Sequence, residues 1–131
     1  STTMSGRRGS TAGKHRPRQV AESIRVVVAL ALAEGEVHDP RVGLMTVSAV
    51  EVTRDLSVAT IRVVPHGDTE EERELAMSGI QSAAGFLRTK VAHALTTRIT
   101  PELRFVRDRG LEHARRIDEL LAGLEHEEDP S

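Results

Sequence analysis

Apolar residues at Val20, Ile24, Val27, Val28 and Ala31 return every three or four positions, the period at which one face of a helix turns inward. Pro17 suits the first turn of that helix and Gly35 its stop. The β-prone run Val26-Val27-Val28 is the one local argument against it. Asp39-Pro40-Arg41-Val42-Gly43 reads as a loop, because a residue ahead of proline is driven out of the helical region. Two β-rich runs follow, Leu44–Val52 and Leu56–Val64, and the intervening Thr53-Arg54-Asp55 predicts a hairpin. Pro65, Gly67 and Asp68 close the second strand.

Thr69 stands three residues before Glu72, the spacing of a capping box, and Leu75, Ala76, Ile80 and Ala83 give the following helix its apolar side. The acids Asp68, Glu70, Glu71 and Glu72 suit the positive end of the helix dipole. At Ala83-Ala84-Gly85 the helical pattern takes in a glycine, about 1 kcal/mol worse than alanine inside a helix, so a kink or break is expected. A further helix over about Phe86 to Arg98 turns Leu87, Val91, Ala94 and Leu95 inward and carries Arg88, Lys90, His93 and Arg98. After Pro101 a last strand, Leu103–Asp108, alternates Leu103, Phe105 and Arg107 with Arg104, Val106 and Asp108. Leu111–Leu124 is a short helix with Ile117, Leu120, Leu121 and Leu124 on one face. Phe86 and Phe105 are expected in the core rather than as stacking platforms.

A chain of 131 residues is one domain's worth of core. The net charge of −2 hides a polarised sequence that begins with Arg7, Arg8, Lys14, Arg16 and Arg18 and ends with Glu125, Glu127, Glu128 and Asp129. Residues 1–13 have no apolar period and read as a disordered basic arm, whose opening Ser1-Thr2-Thr3 has the look of an expression remnant. Residues 125–131 read as an acidic disordered tail, which leaves 14–124 as the domain. No cysteine is present, so disulfide and thiolate chemistry are excluded. No apolar run reaches a membrane span and no hydrophobic signal segment follows the basic start, so a cytoplasmic protein is expected. With two Phe and neither Trp nor Tyr, any nucleic-acid binding must lean on charge, backbone and shape.

Catalytic signatures fail on inspection. Gly9 to Lys14 hints at a phosphate loop, but Arg8 stands where glycine is needed and His15, not Ser or Thr, follows Lys14. His38-Asp39 and His66 with Asp68 lack a third metal ligand. No serine occupies a nucleophile elbow. The expectation is a protein without catalysis, cofactor, metal or small-molecule substrate.

The element order, helix, strand, strand, helix, helix, strand, is that of a type II KH fold: one α+β domain with a three-stranded mixed sheet and helices mainly on one face. KH modules clamp a nucleic-acid backbone at a GXXG turn between consecutive helices. The literal Gly6-Arg7-Arg8-Gly9 is a decoy in the arm, because the helix-to-helix junction holds Ala83-Ala84-Gly85. With that Ala-x-Gly kink, about Lys14 to Leu124 resembles the ribosome-binding factor A family. Asp39–Gly43, Val50-Glu51-Val52-Thr53-Arg54-Asp55-Leu56, Ser82–Arg88 and Arg98-Ile99-Thr100-Pro101-Glu102-Leu103 carry the match.

The resemblance implies a monomeric ribosome assembly factor that binds the small (30S) ribosomal subunit and its 16S rRNA in late maturation. It further implies support of 16S rRNA 5′-end processing and of cold adaptation. The alternative is a general KH-type single-stranded RNA-binding protein. The candidate RNA-binding residues are Ala83, Ala84 and Gly85 at the kink, Arg88 and Lys90 just beyond it, Arg41 and Arg54 in turns, and Arg16 and Arg18 at the arm boundary. Ala84→Asp is expected to be tolerated as a helix-end substitution while repelling phosphate. His38 stands where a basic residue is expected, and the arm and acidic end lie outside the family core.

Overall fold

The computed structural model describes residues 2–96 and 98–128, with side chains described for 16–96 and 98–124. Its elements run α1 (Thr2–Ala33), β1 (Met45–Val52), β2 (Val58–Pro65), α2 (Glu70–Ser82), α3 (Ala84–Ala94), β3 (Glu102–Arg107) and α4 (Arg109–Glu128). This is the α-β-β-α-α-β order expected, with α4 appended.

Helix α1 runs as one helix from Thr2, so Pro17 lies within it rather than in its first turn. The fixed φ of proline is itself helical, which makes the residue a poor marker of where the backbone enters the helix. The expected arm, 1–13, and tail, 125–131, lie outside the residues whose side chains are described. Among the residues whose side chains are described, Val20 is the first in the core. At the other end Gly35 adopts φ +69, the left-handed conformation that glycine enters without Cβ strain. There the Glu36 N–H donates to Ala31 O at 2.9 Å and the Gly35 N–H to Leu32 O at 3.3 Å, the paired bonds that satisfy orphan carbonyls at a helix end.

The sheet order is β1-β2-β3, with β1–β2 antiparallel and β2–β3 parallel. Ala59, Ile61 and Val63 of β2 stand in register with Leu103, Phe105 and Arg107 of β3, so one face of the sheet collects them all. Ile24, Val28 and Ala31 of α1, Ile80 of α2, and Leu87 and Val91 of α3 join the same core. Strand β2 starts at Val58 rather than Leu56 because Leu56 takes φ 63. It closes the hairpin turn with its N–H on Thr53 O at 2.9 Å while its side chain stays in the core. Asp108 ends β3 and starts α4, since its N–H still bonds Val63 O at 2.8 Å while its carboxylate accepts the Leu111 N–H at 3.0 Å.

Three sequence expectations change. Leu75 is exposed, because α2 buries the face of Arg73, Ala76, Gly79 and Ile80. Ala94 is exposed and α3 stops there, short of Arg98. Phe105 is in the core, whereas Phe86 is 48% exposed, since Leu87 and Val91 set the inward face of α3. Along α4, Ile117, Leu120, Leu121 and Leu124 share a face but remain exposed.

Candidate nucleic-acid interface

One residue turns the chain between α2 and α3. Ala83 has φ −84 and ψ 0, and serves as the last cap of α2 and the first of α3. Its N–H reaches Gly79 O and Ile80 O at 3.1 Å, and its carbonyl accepts the Leu87 N–H at 3.0 Å. The methyl groups of Ala83 and Ala84 pack half-buried against the core. A carboxylate at Ala84 would therefore disturb packing as well as repel phosphate, and the expectation of a purely exposed helix-end site there is corrected.

Gly85 differs from its neighbours. It is exposed, and a Cβ added to it would meet nothing within 4 Å. A glycine in the first turn of a helix lowers helix stability relative to alanine, and nothing within the fold requires it here. The bare backbone at this position is open to solvent.

The loop of Asp39 to Gly43 braces the kink from the α2 side. A Cβ on Gly79 would lie 3.0 Å from Val42 Cγ2 and 3.1 Å from Arg41 Cβ, so glycine is what admits the loop. The Arg41 side chain donates to both Asp39 oxygens, at 2.9 Å from Nε to Oδ1 and 2.6 Å from Nη2 to Oδ2, and Nη2 reaches Ser82 Oγ at 3.3 Å. The Arg41 guanidinium, then its backbone N–H, hold the Asp39 carboxyl down at about 2. Arg41 thus positions the kink, while staying exposed beside it.

On the α3 side, Arg88 donates to Thr100 O at 2.8 Å and to Pro101 O at 3.2 Å, binding the helix to the approach of β3. A guanidinium has five N–H donors, so this leaves others free to face solvent. Arg88 also lines a shallow cleft of about 370 Å3 with Gly85, Thr89, Ala92, Arg98 and Thr100. Among the described residues, no carboxylate lines it. Arg98 completes this basic cleft, although sequence reasoning passed it over as one more helix charge.

Arg54 sits at the hairpin tip, exposed and without an ionic partner among the described residues. Because the Glu102 N–H bonds Ser57 O at 2.9 Å, the hairpin and the segment gripped by Arg88 share one end of the sheet. Lys90 is otherwise engaged. Its ammonium pairs with Glu36 and lies 5.6 Å from the Phe86 ring centroid, so it ties α3 to the exit of α1. That hydrogen bond lowers the Glu36 carboxyl below the usual carboxylate range. Arg16 and Arg18 are exposed on α1, roughly 25 Å along the helix axis from that exit.

The opposite end of the sheet interleaves arginines with carboxylates. Arg107 pairs with Glu70 and Glu74 at 2.7 Å and with Glu112 at 2.6 Å, and Arg73 adds a contact to Glu112 at 3.0 Å. Clefts there of about 300 and 290 Å3 mix both charges: Arg73, Arg115 and Arg116 stand with Asp68, Glu112 and Glu119 in one, and Arg107, Arg109 and Arg116 with Glu70 and Glu112 in the other. The kink end, where the cleft carries Arg88 and Arg98 and no carboxylate among the described residues, is the nucleic-acid candidate.

The family model described as ribosome-binding factor A matches residues 16–121. The chain belongs to the ribosome-binding factor A family. It is 45% identical over 111 residues to "Ribosome-binding factor A" of Rhodopirellula baltica, covering 85% of this chain and 80% of that one. Among solved structures, the crystal structure of ribosome-binding factor A from Thermus thermophilus superposes with a TM-score of 0.58 at 26% identity, covering 71% of this chain and 97% of that one. A Thermus thermophilus ribosome binding factor A homology model, fitted into the cryo-EM map of a 30S-RbfA complex, superposes with a TM-score of 0.54 at 26% identity. It covers 73% of this chain and 94% of that one. The KH-like fold expected from the element order is thus the fold of ribosome-binding factor A. The match takes in every expected site residue from Arg16 to Lys90, while the basic arm and acidic end fall outside it.

Proposed function

We propose that this ribosome-binding factor binds the small ribosomal subunit late in its maturation, pressing the Ala83–Gly85 kink against 16S rRNA. The observation that carries the reading is Gly85: an exposed backbone at a one-residue helix junction, beside the basic cleft of Arg88 and Arg98. Close approach of a phosphodiester chain requires a site without a side chain, and a KH-like fold uses its helix junction in that way. The 30S complex of the Thermus relative supports the choice of partner.

In this account residues 14–124 form the binding domain, with the basic arm and acidic tail as accessories. The protein acts as a cytoplasmic monomer, without catalysis, in support of 16S rRNA 5′-end processing and growth in the cold. Ala83, Ala84 and Gly85 supply the approach surface, Arg88 and Arg54 supply phosphate contacts, and Arg41 and Lys90 position the helices. Arg16 and Arg18 extend the contact along α1.

Sucrose-gradient sedimentation of the tagged protein tests this. Co-migration with free 30S subunits and exclusion from joined ribosomes is the expected result. Migration only at the top of the gradient, or equally with all ribosomal particles, would overturn it.

A further inference from the structure

The chain has only two aromatic residues, and one of them is left outside the core. Phe86 is exposed in the first turn of α3, next to Gly85 and one residue from the inward-facing Leu87. The Lys90 ammonium stands over its ring at 5.6 Å from the centroid while held by Glu36. A cation fixed over one face of an aromatic ring holds the ring and polarises it. Thr89 is about 60° around the helix from Phe86, so the ring stands beside the cleft formed by Gly85, Arg88, Thr89, Ala92, Arg98 and Thr100.

These features together describe a place for one nucleotide. Single-stranded RNA presents a flat base and an anionic phosphate to each successive site, and proteins meet them with an aromatic face and a basic groove. A protein partner with an acidic residue would need only the cleft, and an apolar partner would need only the ring. The adjacency of an exposed ring and a carboxylate-free basic cleft favours the nucleotide. We propose that Phe86 is a stacking platform for one unpaired nucleobase of the bound rRNA, whose phosphate lies in the cleft against Arg88 and Arg98. This proposal rests on the assembly-factor reading and adds a residue that the sequence pattern assigns to the core.

The test compares the full-length parent with Phe86→Ala, Phe86→Leu and Phe86→Trp in binding to purified 30S subunits. Circular-dichroism melting of each variant guards against loss of fold, and an exposed position is expected to leave the melting temperature nearly unchanged. Stacking predicts that Phe86→Ala weakens binding about five- to a hundredfold. Phe86→Leu, which keeps apolar bulk without a π face, should lose nearly as much. Phe86→Trp should bind at least as tightly as the parent, and the salt dependence of binding should be the same across the series, since no charge changes. Parent-like binding by Phe86→Leu, with the parent bound, would overturn stacking alone. A parent that does not bind 30S subunits would overturn the assembly-factor reading and this proposal with it. The chain has no Trp or Tyr, so Phe86→Trp is also a sole tryptophan reporter. Its emission should be quenched on titration with a decameric oligoadenylate RNA at low salt, and emission unchanged while that RNA binds would contradict base stacking.

Discussion

Asp39 and Arg41 face each other across a single proline, and the Arg41 guanidinium holds both carboxylate oxygens while reaching on to Ser82 at the end of α2. The pair is a brace for the kink, and its strength depends on the charge of Asp39. The Asp39 carboxyl is lowered to about 2 in the folded protein, against about 4 in an unfolded chain. A depressed folded value means that the brace contributes in full above about pH 4 and is lost as pH falls through about 2. Asp39→Asn should therefore melt below the parent at pH 7, and the difference should close as the pH approaches 2. Melting curves at both pH values check this, and a difference that persists at pH 2 would show that charge is not its source.

Arg107 is the internal counterpart of that surface brace. Its side chain is 7% exposed, and it lies on the core-facing side of β3, where only the carboxylates of Glu70, Glu74 and Glu112 make a guanidinium tolerable. Glu70 in turn is held down at about 2, chiefly by its hydrogen bond to Arg107. Arg107→Met should cost about 2 kcal/mol, less than a fully buried broken pair because Glu70 and Glu74 are half-exposed and can rehydrate. Urea denaturation at pH 7 measures this, and an unchanged midpoint would mean that the network contributes nothing net.

Arg54 and Lys90 should separate on salt. Arg54 is exposed at the hairpin tip with no ionic partner among the described residues, whereas Lys90 is already paired with Glu36. Arg54→Ala should leave stability unchanged, weaken 30S binding and reduce the slope of log affinity against log salt by about 1. Lys90→Met should leave that slope unchanged while lowering the melting temperature. Filter binding across a salt series distinguishes them, and equal slopes for parent and Arg54→Ala would remove Arg54 from the interface.

Deleting residues 1–13 should leave the melting temperature unchanged, because that stretch has no apolar period with which to bury surface. A clear loss of thermal stability would show that the arm docks on the domain.

The architecture was legible because each element carries its own period: Ile24, Val28 and Ala31 mark α1, and Leu103 and Phe105 mark β3. The kink was legible as a glycine in a helical run. Partnerships between distant elements were not legible: Lys90 meets Glu36 across 54 residues, and Arg107 meets Glu70 across 37. Phe86 is an intermediate case. Leu87 and Val91 already place it about 100° off the inward face, although the sequence reading put it in the core. Leu75 was misplaced in the same way, one residue from the buried Ala76.

Gly85 is where the account stands or falls. The position is open, helical and in the first turn of α3, so an acidic side chain fits sterically and suits the positive end of the helix dipole. Glycine in a helix is about 0.5–1 kcal/mol worse than alanine, and aspartate recovers part of that difference and gains from the positive end of the helix, so Gly85→Asp should melt at or above the parent temperature. If rRNA lies against the kink, the same carboxylate meets phosphate, and like-charge juxtaposition in an interface should weaken binding at least about tenfold. The decisive measurement is co-sedimentation of Gly85→Asp with 30S subunits beside its circular-dichroism melt. The account predicts an intact or raised melting temperature with binding largely lost; an intact melt with parent-like co-sedimentation would contradict it.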